Sequence, residues 1–166
     1  FHHLYNIFML VPGCRGWLAL RGLGTLPLRL RQACSNAQAA AEFLVTQSQQ
    51  VESIQYPGLP SHADHAQACR QFKDQFGSIV TFNLAGGQPA ADRFIEAAAR
   101  FPFCPSLGEL STTLSHPAST SHRKLSESDR ALVGITGGAI RLSVGVESTE
   151  YILESLAQCF STMECS

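Results

Sequence analysis

The sequence predicts an α+β layer fold: a small mixed or antiparallel sheet covered by helices and preceded by a long helical segment. Three observations carry this expectation. The 166 residues, 45% apolar and 15% charged, fit one domain of roughly 150 residues with an appendage. From Val51 onward, short runs rich in alternating apolar residues are interleaved with segments whose apolar residues recur at helical spacing. Before Val51 only helical spacing occurs. Strands and helices that alternate after a helical start pack as a sheet with helices on one face. The charged fraction is low beside a typical value of about 25%, which points to surface that meets a partner.

Residues 1–16 carry no clean element. Phe1, Leu4, Tyr5, Ile7, Phe8, Met9, Leu10 and Val11 crowd together before Pro12-Gly13, with no Met and no cap, and read as a chain entered partway through a larger protein. Residues 17–30 have helical spacing at Leu20, Leu23 and Leu30, interrupted by Gly22, Gly24 and Pro27. Ser35-Asn36-Ala37-Gln38 has the form of a capping box, which predicts a fresh helix over 37–45. Residues 51–56 read as a strand stopped by Pro57-Gly58-Leu59-Pro60, and Ser61 as the cap of a helix that reaches Lys73. A strand over 78–84 turns at Ala85-Gly86-Gly87, and Ala91, Phe94, Ile95 and Ala98 form one helical face. Residues 101–104 read as a short strand, and the Ser/Thr-rich stretch 106–122 as a loop around another. Ser126 starts a helix, Gly137-Gly138 turns into a strand over 139–146, and Leu153, Leu156, Ala157 and Phe160 line a last helix.

With 12 basic and 13 acidic residues the net charge is -1, without the basic excess of a nucleic-acid binder. No stretch approaches the roughly 18 apolar residues of a membrane span, and no secretory leader opens the chain. The six cysteines, Cys14, Cys34, Cys69, Cys104, Cys159 and Cys165, form no Cys-x-x-Cys pair, so reduced thiols in a cytoplasmic protein are expected. Residues 1–41 hold Arg15, Arg21, Arg29 and Arg31 and no acid, whereas 142–166 hold Glu147, Glu150, Glu154 and Glu164 and no base. Attraction between these ends and two ordinary solvated faces both fit that pattern.

Arg141 is the most informative single residue. On the strand that contains it, Ile140, Leu142, Val144 and Val146 share one face, and Ala139, Arg141, Ser143, Gly145 and Glu147 the other. Small neighbours leave room around the guanidinium, which binds carboxylates through two parallel hydrogen bonds. A small-molecule carboxylate and a salt bridge within the fold both satisfy this spacing. The Ser106-Leu107-Gly108 turn offers a hydroxyl and free backbone N–H groups to an anion, or is an ordinary turn. His62 and His65 stand at i, i+3 as a conceivable metal face, but no further ligand completes a site and no metal is expected. His116, Ser121 and His122 bracket a polar loop and are candidates to line a pocket. The only lysines, Lys73 and Lys124, sit in polar stretches and read as surface residues rather than Schiff-base formers. An unrelated α+β ligand-binding domain remains compatible with these residues alone.

Several segments together resemble one family. Leu18-Ala19-Leu20-Arg21-Gly22-Leu23-Gly24-Thr25-Leu26, then Tyr56-Pro57-Gly58-Leu59-Pro60-Ser61-His62, then Ser106-Leu107-Gly108, Leu114-Ser115-His116-Pro117-Ala118 and Ser121-His122 follow in order. Gly134-Ile135-Thr136 and Ile140-Arg141-Leu142-Ser143-Val144-Gly145-Val146-Glu147 complete the set. This series is similar to the Cys/Met-metabolism pyridoxal-phosphate enzymes: cystathionine synthases and lyases, methionine γ-lyases and O-acylhomoserine sulfhydrylases.

The resemblance implies the C-terminal domain of a fold-type I pyridoxal-phosphate enzyme. Residues 1–16 would then be a poorly matching remnant of an upstream cofactor domain, 17–50 connecting helices and 51–166 a substrate-clamping domain. It implies that Arg141 holds the substrate α-carboxylate, that Ser106 and Leu107 help, and that Ser121 and His122 line the pocket. It also implies a transsulfuration reaction, C–S lysis or γ-replacement, on cysteine-, homocysteine- or homoserine-type substrates. The cofactor is pyridoxal 5'-phosphate, whose lysine falls outside this chain because neither Lys73 nor Lys124 matches the family motif. The implied partners are an amino-acid substrate, the missing N-terminal cofactor domain and further copies in a homo-oligomer, with no nucleic acid and no membrane. Two departures stand out: residues 11–17 match only loosely, and Pro105 stands where some lyases carry a glutamate. The alternative is a truncated, inactive fragment that docks to other subunits or binds carboxylates.

Overall fold

A computed structural model of the protein describes residues 13–164. The apolar run over 1–11, with Pro12 and Cys165, lies outside the described residues. The chain opens with α1 (Gly13–Gly24) and α2 (Leu26–Thr46). The break falls at Thr25, where Arg29 donates to Gly22 O at 2.7 Å and to Thr25 Oγ1 at 3.2 Å. Pro27 stands in the first turn of α2, where its missing N–H is no loss. The capping box at Ser35–Gln38 is therefore not a helix start: α2 runs through it uninterrupted. Gln38, the residue that would bond back to a cap at Ser35, turns to Glu42 Oε1 at 2.8 Å, and Asn36 between them donates to Gly145 O and Glu147 O.

The sheet follows as β1 (Val51–Gln55), β2 (Ile79–Leu84), β3 (Thr113–Ser115) and β4 (Ala139–Ser143), in the order β1-β2-β4-β3, every ladder antiparallel. Between them lie α3 (His65–Phe72), α4 (Gly87–Ala97) and α5 (Glu127–Leu132), and α6 (Thr149–Glu164) closes the fold. Register sorts the side chains into two faces. Val80, Leu142 and Leu114 align across three strands, as do Ile54, Phe82 and Ile140. This face packs under α2 and α4, and α6 packs against both helices and reaches the sheet through Phe160. Phe82, Phe94 and Phe160 meet at its centre, with Phe94 5.4 Å from Phe82 and 5.2 Å from Phe160 between ring centroids. The other face carries a polar row across the whole sheet, Gln55, Thr81, Arg141 and Ser115.

Three further boundaries differ from the sequence expectation. α3 begins at His65, not after Ser61, because the Asp64 N–H donates to His62 Nδ1 at 3.1 Å and 61–64 form turns. Residues 101–104 make a single bridge, Phe103 to Leu114, rather than a strand, since Pro102 and Pro105 remove two N–H donors. β4 ends at Ser143, three residues early. There Gly145 lies against Leu110 O and the backbone of Ser111, so closely that a Cβ would overlap both, and Val146 N–H turns to Leu110 O at 2.8 Å. Ser126 does cap α5, its Oγ accepting from Asp129 N–H at 3.1 Å. Among the described residues no helix is long and apolar enough to cross a membrane.

Burial raises three acids of the core, Cys34 among them. Cys159 is pushed from 9.0 up to about 11, and Tyr56 well above its ordinary 10.0, in both cases mainly by removal from water. A folded state that resists ionisation keeps its full stability below the unfolded pKa and loses it as pH rises through the folded value. The urea midpoint should therefore fall between pH 9 and 11, and Cys159→Ala should flatten that fall. An identical slope in the variant would exclude Cys159 as a contributor.

Candidate carboxylate-binding site

Arg141 stands in the middle of β4, half-buried on the polar face, opposite Thr81 on one side and Ser115 on the other. One Nη donates to Pro105 O at 3.3 Å. No carboxylate among the described residues pairs with it. Two residues along, Ser143 Oγ accepts the Gly108 N–H at 3.2 Å. These two bonds lay the 105–108 turn beside β4. Gly108 has φ +77, a backbone that glycine adopts without strain, and it directs that N–H toward the strand.

The structure thus brings Arg141 and the Ser106-Leu107-Gly108 turn together. Within the turn, Ser106 is half-buried and its Oγ donates to Glu109 Oε1 at 3.3 Å, while Leu107 is 54% exposed. Ser121 and His122 lie in the following turn, bonded to each other at 2.8 Å, with no bond to Arg141. His116 serves the fold: it is buried, its Nε2 faces Gly137 O at 2.8 Å, and its Nδ1 meets Ser119 Oγ at 3.0 Å. The carbonyl requires a proton on Nε2, and Ser119 Oγ also donates to His116 O at 3.3 Å.

The histidine pair does not share a helical face, because His62 precedes α3. His65 uses Nδ1 on Pro57 O at 2.8 Å and Nε2 on Cys69 Sγ at 3.4 Å. Lys73 and Lys124 are both exposed, the first at the end of α3 and the second in the turn before α5. Of the two readings of the charged ends, pairing between them is not seen among the described residues: Arg21 lies over the Trp17 ring, Arg29 bonds its own turn, and Glu147 holds Thr112.

That last interaction is a part of the site that sequence reasoning misses. Glu147 accepts from both the backbone N–H and the hydroxyl of Thr112. Strand periodicity puts Glu147 beside Arg141, but the early end of β4 removes the parity on which that placement depends.

Residues 9–161 match the family described as Cys/Met metabolism PLP-dependent enzyme. The chain is 42% identical over 142 residues to the O-succinylhomoserine sulfhydrylase of Pseudomonas aeruginosa, a match that covers 86% of this chain and 35% of that protein. It is 43% identical over 141 residues to the L-methionine γ-lyase of Pseudomonas putida, covering 85% of this chain and 35% of that one. Among solved structures, the cystathionine γ-synthase of Xanthomonas oryzae pv. oryzae, in complex with aminoacrylate and cysteine, superposes with a TM-score of 0.81 at 40% identity, over 89% of this chain and 38% of that chain. The chain spans 35% of the length of the two curated relatives.

Proposed function

The chain belongs to the Cys/Met-metabolism PLP-dependent enzyme family, and on that premise we propose that it is the substrate-clamping C-terminal portion of a cytoplasmic enzyme of sulfur amino-acid metabolism. In this reading residues 51–166 are the clamping domain and 17–50 the helices that connect it to a cofactor domain. Relatives named as a sulfhydrylase, a γ-lyase and a γ-synthase support C–S lysis or γ-replacement on a cysteine-, homocysteine- or homoserine-type substrate.

The described residues do not fit pyridoxal phosphate itself. The cofactor needs a shielded lysine with a lowered pKa, and both lysines of this chain are exposed. The proposal therefore assigns the cofactor lysine to another part of the enzyme, and to this chain the orientation of the substrate. The observation that carries it is the guanidinium of Arg141: held at one Nη by a carbonyl, free of any carboxylate among the described residues, and flanked by small polar side chains. Its remaining N–H groups suit a two-point grip on an α-carboxylate. The Gly108 N–H is taken up by Ser143 Oγ, which leaves the backbone N–H groups of Ser106 and Leu107 for an anion, and Ser106, Leu107, Ser121 and His122 complete the proposed lining. Fixing one end of the substrate lowers the barrier at the other by removing unproductive orientations.

In a complete enzyme, Arg141→Lys tests the clamp: a raised KM for the amino acid supports it, and an unchanged KM removes Arg141 from the site. A second measurement tests the cofactor assignment. Dialysed against buffer after exposure to pyridoxal phosphate, this chain should retain none; stoichiometric retention that is lost in Lys124→Ala would overturn it.

A second reading, an inactive module that docks to other subunits or binds carboxylates, draws support from an exposed apolar surface on α1 and the start of α2. Trp17 is 58% and Leu20 70% exposed, with Leu23, Leu26 and Leu28 beside them. Such a surface marks a contact site, which suits a cofactor domain and further copies in a homo-oligomer as well as a docking fragment. Turnover by a complete enzyme that carries this chain separates the two readings.

A further inference from the structure

Three separate chain segments meet behind the clamp in one hydrogen-bonded network. Thr112 is fully buried; its N–H and hydroxyl both donate to the Glu147 carboxylate, the hydroxyl at 3.0 Å, and its Oγ1 accepts the Gly145 N–H at 3.0 Å. Asn36 of α2, 1% exposed, uses every hydrogen-bonding position that an amide side chain has. Nδ2 donates to Gly145 O at 3.0 Å and Glu147 O at 2.8 Å, and Oδ1 accepts from Thr149 Oγ1 at 2.8 Å and Gln32 Nε2 at 3.0 Å.

The network joins α2, the exit of β4 and the segment that runs back to the 105–108 turn. That segment is tied to β4 at Gly108, at Leu110 and at Thr112. Of these three ties the last has a charged acceptor, and charged acceptors make the shorter, more strongly oriented bonds. Glu147 is half-buried, and both of its side-chain bonds go to Thr112. Seven residues before Thr112 in the chain, Pro105 O accepts from the guanidinium at 3.3 Å.

We propose that Glu147, anchored through Thr112 and backed by Asn36, is the positioning residue of the Arg141 clamp. It fixes the 105–112 segment against β4, so that Pro105 O holds one Nη while the other edge of the guanidinium faces the substrate carboxylate. This rests on the carboxylate role proposed for Arg141.

The test uses steady-state kinetics of a complete enzyme. Glu147→Gln keeps the volume but turns an NH2 group toward the Thr112 donors, and KM for the amino acid should rise about tenfold with kcat within about twofold, the loss expected of one charge-assisted bond that acts through binding. Thr112→Ser, which retains both donors, should keep the wild-type KM, and Thr112→Val should raise it. Because Glu147 acts through Arg141, Glu147→Gln should add little in an Arg141→Lys background. A KM effect fully additive with Arg141→Lys, or an unchanged KM in Glu147→Gln beside a raised one in Arg141→Lys, overturns the positioning role alone. Unchanged KM in Arg141→Lys overturns the clamp, and the role of Glu147 with it.

Discussion

In a complete enzyme, Arg141→Lys should raise KM for the amino-acid substrate by about 10- to 100-fold, the range that loss of one hydrogen bond to a charged group implies. Lysine keeps the charge but not the planar fork. A single ammonium cannot meet Pro105 O and both oxygens of a carboxylate with the geometry that a guanidinium offers. Arg141→Ala removes the charge as well and should exceed the lysine variant. The effect belongs in KM rather than kcat if the carboxylate is gripped equally in ground and transition states. A drop in kcat instead would mean that the grip tightens only as the reaction proceeds. The fold should survive either change, since the side chain is half-buried and its one bond, to Pro105 O, is long at 3.3 Å. Equal thermal transitions for variant and parent would separate a lost grip from a lost fold.

What the sequence makes legible follows from how local each cause is. The apolar alternation of β2 and β4 is readable because a sheet with helices on one side must place every second residue in the core. Arg141 is readable for the same reason, as a cation among Ala139, Ser143 and Gly145 on the opposite face. The cap at Ser126 is local and holds. The use of Asn36 within α2 is not local: its partners at Gly145 and Glu147 lie 109 and 111 residues away. The end of β4 is decided by Leu110 and Ser111 pressing on Gly145, a contact that no pattern near residue 145 announces. Glu147 is misplaced as a consequence. The start of α3 fails on a smaller scale, when a histidine ring takes the amide that would have opened the helix. The family segments survive these errors because their order along the chain does not depend on where any element begins.

Asn36→Leu should destabilise the fold by about 3 kcal/mol. Leucine is nearly isosteric and a better helix former, a gain of about 0.5 kcal/mol. Against this, the buried carbonyl of Gly145 loses its side-chain partner, as do Glu147 O and Thr149 Oγ1. A buried polar group left unpaired costs about 1–3 kcal/mol, and leucine cannot let water replace the amide in so closed a site. For a domain of this size each kcal/mol shifts Tm by about 2–4 °C, so a fall of about 6–12 °C is expected. Asn36→Asp tests the same point by charge. It retains Oδ1 for Thr149 and Gln32 but sets a carboxylate against two carbonyl oxygens, so at neutral pH it should be at least as damaging as leucine. Lowering the pH protonates it and restores one donor, which should recover part of the lost Tm; a loss that stays constant with pH would mean that the donors to Gly145 and Glu147 are not what Asn36 supplies. If Asn36→Leu lowers Tm while Glu147→Gln mainly raises KM, the two ends of the network do different work: the amide holds the segments together, and the carboxylate sets the angle at which Arg141 meets its substrate.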